Sequence, residues 1–75
     1  MPTNLPPYST GVFVNGELRE FPAGQSIASL LHSLGIPSDR VAVELNKTIV
    51  RKRDWDTTLV APNSQIEIVE FVGGG

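Results

Sequence analysis

Val12-Phe13-Val14-Asn15-Gly16-Glu17-Leu18-Arg19-Glu20-Phe21 reads as two β-strands joined by a two-residue turn. Asn-Gly tolerates the positive φ angles of a type I′ turn, whose twist matches that of the strands it joins. The first two strands are therefore antiparallel neighbours. On the C-terminal side, Pro22-Ala23-Gly24 ends the second strand. On the N-terminal side, the prolines at positions 2, 6 and 7 withhold backbone donors, so residues 1–10 read as a flexible arm ahead of a domain that begins at Gly11.

Past the hairpin, Ile27, Leu30, Leu31 and Leu34 recur at i, i+3, i+4 and i+7, the spacing of one apolar helix face. Gln25 or Ser26 is the expected N-cap. Gly35 stands where a left-handed residue closes a helix, with Ile36 placed to fold back and Pro37 unable to continue. So short a helix is marginal alone and needs a sheet to pack on. Val41, Val43 and Leu45 alternate with Ala42 and Glu44 as a third strand, and Asn46-Lys47 turns the chain into Thr48-Ile49-Val50. Thr58 to Val60 is a short extended segment, and Gln65 to Val72, rich in β-branched residues, is the last strand. One helix between an opening hairpin and later strands is the β-grasp order. The expectation is an α+β fold, a mixed four- to five-stranded sheet with one main helix on one face. The domain would span residues 11–72, followed by a flexible glycine tail at 73–75.

Seventy-five residues leave room for a single core. At this size a core contributes roughly 3–5 kcal/mol of net stability, which leaves little for a deep catalytic cleft. Function is expected at a surface or a terminus. The absence of cysteine excludes disulfides and thiol chemistry, and the single histidine, His32, has no second ligand, so no metal site is expected. A net charge of -2 provides no long-range attraction to phosphate backbones, which argues against a nucleic-acid partner. The N-terminus lacks the basic and apolar regions of an export signal, and no apolar run approaches the ~20 residues that span a bilayer. The expectation is a cytoplasmic protein with protein partners and no membrane contact.

No catalytic residue stands out either. The eight carboxylates are dispersed without the pairing that acid–base chemistry requires. Gly24-Gln25-Ser26-Ile27-Ala28 misses the G-x-S-x-G nucleophile pattern at its last position, and no phosphate-binding loop occurs. Arg51-Lys52-Arg53, the one basic cluster, reads as a solvated loop, and Trp55 as cover for the core edge. The chain is expected not to be an enzyme.

The C-terminus is different. Gly73-Gly74-Gly75 has no Cβ atoms, so it can thread a channel too narrow for any other residue and leave a carboxylate open to attack. Ordering three such residues costs on the order of 3–6 kcal/mol, so a detached tail would bind poorly and a docking face must offset the loss. The last strand suggests one. Ile66 and Ile68 point one way, while Val69 and Phe71 share the opposite side with Glu67. If Val12 and Val14 face the helix, Phe13 joins that outer side, so Phe13, Val69 and Phe71 are candidates for an exposed patch that docks partner enzymes. The competing readings are a β-bulge that resets the register near Val69, or cover by the N-terminal arm.

Val14-Asn15-Gly16-Glu17, Val41 to Asn46, Ile49-Val50 followed by Arg53 and Trp55, and Ile66 to Gly75 together resemble the ThiS family of thiamine-biosynthesis sulfur carriers, ubiquitin-like proteins. The resemblance covers residues 11–75. It implies that a ThiF-like enzyme adenylates the Gly75 carboxylate from ATP, that sulfur from a donor protein replaces the adenylate as a thiocarboxylate, and that a ThiG-like thiazole synthase consumes it. ATP and magnesium would belong to the activating partner, with no cofactor on this chain. Residues 1–10 have no counterpart in the usual family start, and Asn63-Ser64 replaces a turn in which Asp or Gly is common. A small subunit of molybdopterin synthase, a ubiquitin-like protein modifier and a β-grasp binding module stay open as alternatives.

Overall fold

The computed structural model describes residues 9–71. Asn15 at φ 50° and Gly16 at φ 84° form the expected turn between β1 (Ser9–Val14) and β2 (Glu17–Pro22), which pair from Val14 opposite Glu17 to Ser9 opposite Pro22. Ser9 and Thr10, placed in the arm on sequence, belong to this ladder, because Pro22 and Phe21 still lie opposite them. The other residues of that arm, 1–8, lie outside the described residues, as do Val72 and the glycine tail.

The helix α1 (Ile27–Ser33) is closed by local chemistry at both ends. The Ser29 N–H donates to Ser26 Oγ at 3.1 Å, while the N–H groups of Ile27 and Ala28 donate to the carbonyls of Thr58 and Trp55. These contacts satisfy amides that no helical carbonyl can reach. At the other end Gly35, at φ 71°, donates to the His32 carbonyl and Ile36 to that of Leu31, the paired bonds of a Schellman motif.

After a 3₁₀ turn over Ser38–Arg40, β3 (Val41–Leu45) and β4 (Thr48–Val50) form the second hairpin, and β5 (Gln65–Glu70) closes the sheet. The order is β2-β1-β5-β3-β4, with β1 and β5 parallel and the other neighbours antiparallel. Thus the five-stranded mixed sheet with one covering helix is the β-grasp arrangement expected. The Thr58 to Val60 segment adds only a bridge between Ser26 and Leu59.

Ile27, Leu30 and Leu31 of α1 are buried with Val12, Val43 and Ile66 of the sheet, which is the core. Trp55 goes deeper than the edge position its sequence context suggested. It is buried in that core, and its indole N–H donates to the Val50 carbonyl at 2.8 Å, which satisfies its polar atom.

Candidate functional site

The end of β5 is built by its neighbours. Pairing with β3 runs without a break from Leu45 opposite Ile66 to Val41 opposite Glu70, and the Phe71 N–H then donates to the Arg40 carbonyl at 2.7 Å. No bulge resets the register over this span, so alternation holds and Val69 lies on the face away from α1. Val69 and Phe71 are 54% and 56% exposed, against 1% for Ile66 on the helix side of the same strand. Two large apolar side chains thus stand open at the end of β5, shortly ahead of the tail in the sequence.

Phe13 does not join them closely. It shares the outer face but is half-buried, and the parallel register sets it beside Gln65. Val69 lies four residues further along β5, so the two are separated by about 13 Å along the strand direction. Phe13 instead faces Leu18 across the first hairpin. Gly11 lies below that leucine: a Cβ there would come within 3.1 Å of Leu18 Cδ1. Phe13 therefore belongs to a second apolar area near the β1–β2 turn.

Two residues of the same outer face were not singled out on sequence. Leu18 is 59% exposed and Ile49, opposite Glu44 on the edge strand β4, is 68% exposed. Each hairpin has a two-residue turn, so counting back from Asn15-Gly16 and Asn46-Lys47 would have placed Leu18 opposite Phe13 and Ile49 opposite Glu44. The face is thus a wide sheet surface with apolar groups set among Glu20, Glu44 and Glu67.

Elsewhere the side chains offer little chemistry. Among the described residues no group of three or more His, Cys, Asp or Glu side chains is placed to hold a metal ion. His32 is exposed and borders a groove of about 400 Å³ between α1, Ile36 and Trp55. Arg51, Lys52 and Arg53 are exposed, as expected of a solvated loop. No helix among the described residues is long and apolar enough to cross a membrane. Gly73, Gly74 and Gly75, the expected reactive tail, lie outside the described residues.

Comparison with known proteins bears on that tail. A family model described as the ThiS family matches residues 12–75. A thiazole synthase of Paramagnetospirillum magneticum is 44% identical over 62 residues, which is 83% of this chain and 19% of that protein. A thiazole synthase of Magnetococcus marinus is 38% identical over 64 residues, 85% of this chain and 20% of that one. The chain therefore spans about a fifth of the length of these two relatives. An uncharacterized protein ycf40 of Porphyra purpurea is similar in extent, 34% identical over 83% of this chain and 87% of its own length. Among solved structures, the crystal structure of a thiamine biosynthesis protein (ThiS) from Geobacter metallireducens superposes with a TM-score of 0.77 at 28% identity, covering 88% of this chain and 100% of that one.

Proposed function

The chain belongs to the ThiS family, and on that premise we propose that it is a sulfur carrier in the biosynthesis of the thiazole moiety of thiamine, acted on by enzymes rather than being one. The observation that carries this reading is the reach of the family match, which runs through Gly73 and Gly74 to Gly75, on a fold whose last strand ends at Glu70, shortly before those glycines in the sequence.

The chemistry follows from what a carboxylate lacks. Its delocalised charge repels nucleophiles, so the Gly75 carboxylate first attacks the α-phosphorus of ATP on a ThiF-like enzyme and displaces pyrophosphate. Hydrosulfide released by a donor protein attacks the resulting acyl adenylate, the C–S bond forming as the bond to AMP breaks, which leaves a terminal thiocarboxylate. A ThiG-like thiazole synthase then takes sulfur from the terminal thiocarboxylate. ATP and magnesium act in the activating partner.

Two relatives support the choice of thiazole synthase as the recipient: each carries a segment like this chain within a protein of that name. Val69 and Phe71 serve as the docking anchors beside the tail, and Phe13 contributes to the wider face. Burying such groups at roughly 25 cal/mol per Å² of apolar surface offsets the cost of ordering the glycines.

Intact-mass measurement of the protein from its native host tests the reading, with a sulfur-for-oxygen increase at the C-terminus as the expected result. Removing Gly74 and Gly75 should leave thermal unfolding unchanged and abolish that increase. Adducts with the mass of other proteins would instead identify a modifier and overturn the carrier role.

A further inference from the structure

We propose that Asn15 is a positioning residue for the tail, its side-chain amide replacing a missing strand along the outer half of β5. This rests on the carrier reading above. β1 stops at Val14, level with Ile66, yet β5 continues to Glu70, so its flank on the β1 side has no strand beyond that point. Asn15 fills the gap. Its backbone N–H donates to the Ile66 carbonyl at 2.8 Å. Its Oδ1 then accepts from the Ile68 N–H at 2.7 Å, and its Nδ2 donates to the Ile68 carbonyl at 3.3 Å.

The amide thus meets both polar groups of Ile68, as a peptide unit of a neighbouring strand would. Asn15 also holds φ 50°, a conformation that among L-residues Asn and Asp visit most readily. Asp would supply the acceptor without the donor, and Gly would supply neither. Asparagine is the residue that satisfies the turn and the strand together.

Asn46, also at φ 50°, makes a related grip where β5 begins: its N–H donates to the Gln65 carbonyl at 2.7 Å and its Oδ1 accepts from the Gln65 N–H at 2.8 Å. The grip of Asn15 comes later, and among the described residues it provides the last hydrogen bonds on the β1 flank before the glycines. From there β5 is held on the β3 flank alone, through Glu70 and Phe71. Without the side-chain amide that one-sided stretch would begin after Ile66 rather than after Ile68. A longer end held on one flank has more freedom to pivot in the plane of the sheet, so the grip narrows the direction in which the chain leaves. Fixing that direction lowers the ordering cost when a partner's channel takes up the tail.

Asn15→Gly keeps the left-handed turn and removes the grip, while Asn15→Asp keeps half of it. Each would be titrated as the protein substrate of a ThiF-like adenylating enzyme, with pyrophosphate release as the signal, at a temperature where circular dichroism shows the variant fully folded. Amide exchange at Ile68 would be followed in parallel. For Asn15→Gly the KM for the carrier should rise about three- to tenfold, the loss of roughly one net hydrogen bond, with kcat unchanged and with Ile68 exchange accelerated. Asn15→Asp should fall between. A mere loss of folded protein would not produce that split under folded conditions. Unchanged exchange would mean that the amide holds nothing, and faster exchange with unchanged KM would mean that the grip does not serve the tail; either overturns the proposal. Should the wild-type chain release no pyrophosphate, the carrier reading fails and this role with it, whereas a wild type that reacts and a variant that equals it removes Asn15 alone.

Discussion

The two faces of β5 carry the same kinds of residue and do different things with them. Ile66, 1% exposed, is sealed under α1, whereas Val69, 54% exposed, stands on the open side of the same strand. Period-two alternation explains why they part, since residues an odd number apart point to opposite faces. It does not explain why both are apolar. The buried side needs apolar groups to fold, and the open side has no such need, which is why its apolar groups are assigned to recognition in the proposed function. The face that carries stability and the face proposed to carry recognition are separable, and substitution can test that separation.

The largest effect should come from the buried side. Ile66→Ala removes most of a fully buried side chain and leaves a cavity, at a cost of roughly 2–5 kcal/mol. For a domain of this size that approaches the whole of its stability. Urea unfolding monitored by Trp55 fluorescence should show the midpoint collapsing, and a loss below about 1 kcal/mol would mean that the inner face is not a packed core. A smaller effect should come from the end of the helix that covers this face. Gly35→Ala meets no atom within 4 Å, so its cost is purely that of placing a Cβ at φ 71°. About 1 kcal/mol is expected. A neutral result in thermal unfolding would show that the helix end relaxes, loosening the link between cap chemistry and the buried face.

Much of the buried side was legible in the sequence because its signals are local. The Asn15-Gly16 turn, the Ser26 cap and the Gly35-Ile36-Pro37 stop each act on atoms a few residues away, and each forms as the sequence suggests. Non-local facts were less accessible. Alternation puts Phe13 on the same face as Val69 but says nothing of its height, which the parallel register of β1 with β5 decides. The same limit hid the two asparagine grips, whose partners lie 53 and 19 residues away. Nor does composition tell a tryptophan at the core edge from one inside it. The Val50 carbonyl that accepts from the indole of Trp55 becomes available only when the loop after β4 folds back.

The smallest effect on stability, and the sharpest test of the comparison, lies on the open face. Phe71→Ser and Ile49→Ser both remove an exposed apolar side chain, and each should change unfolding free energy by no more than about 0.5 kcal/mol. They should differ in recognition. Phe71 adjoins the exit of the tail, and Ile49 lies on the far edge strand, opposite Glu44 and two residues short of Val69 in register, at about 12 Å from it. A docking face centred on the tail predicts that Phe71→Ser raises the KM of the carrier for its adenylating enzyme by tenfold or so, the order expected for losing one anchor worth more than 1 kcal/mol, while Ile49→Ser leaves it unchanged. Equal losses would spread the interface across the whole sheet, and the partner would then read the face as a surface rather than the region around one exit. Loss in Ile49→Ser alone would move the anchor to the edge strand and detach recognition from β5, breaking the division of labour between its two faces.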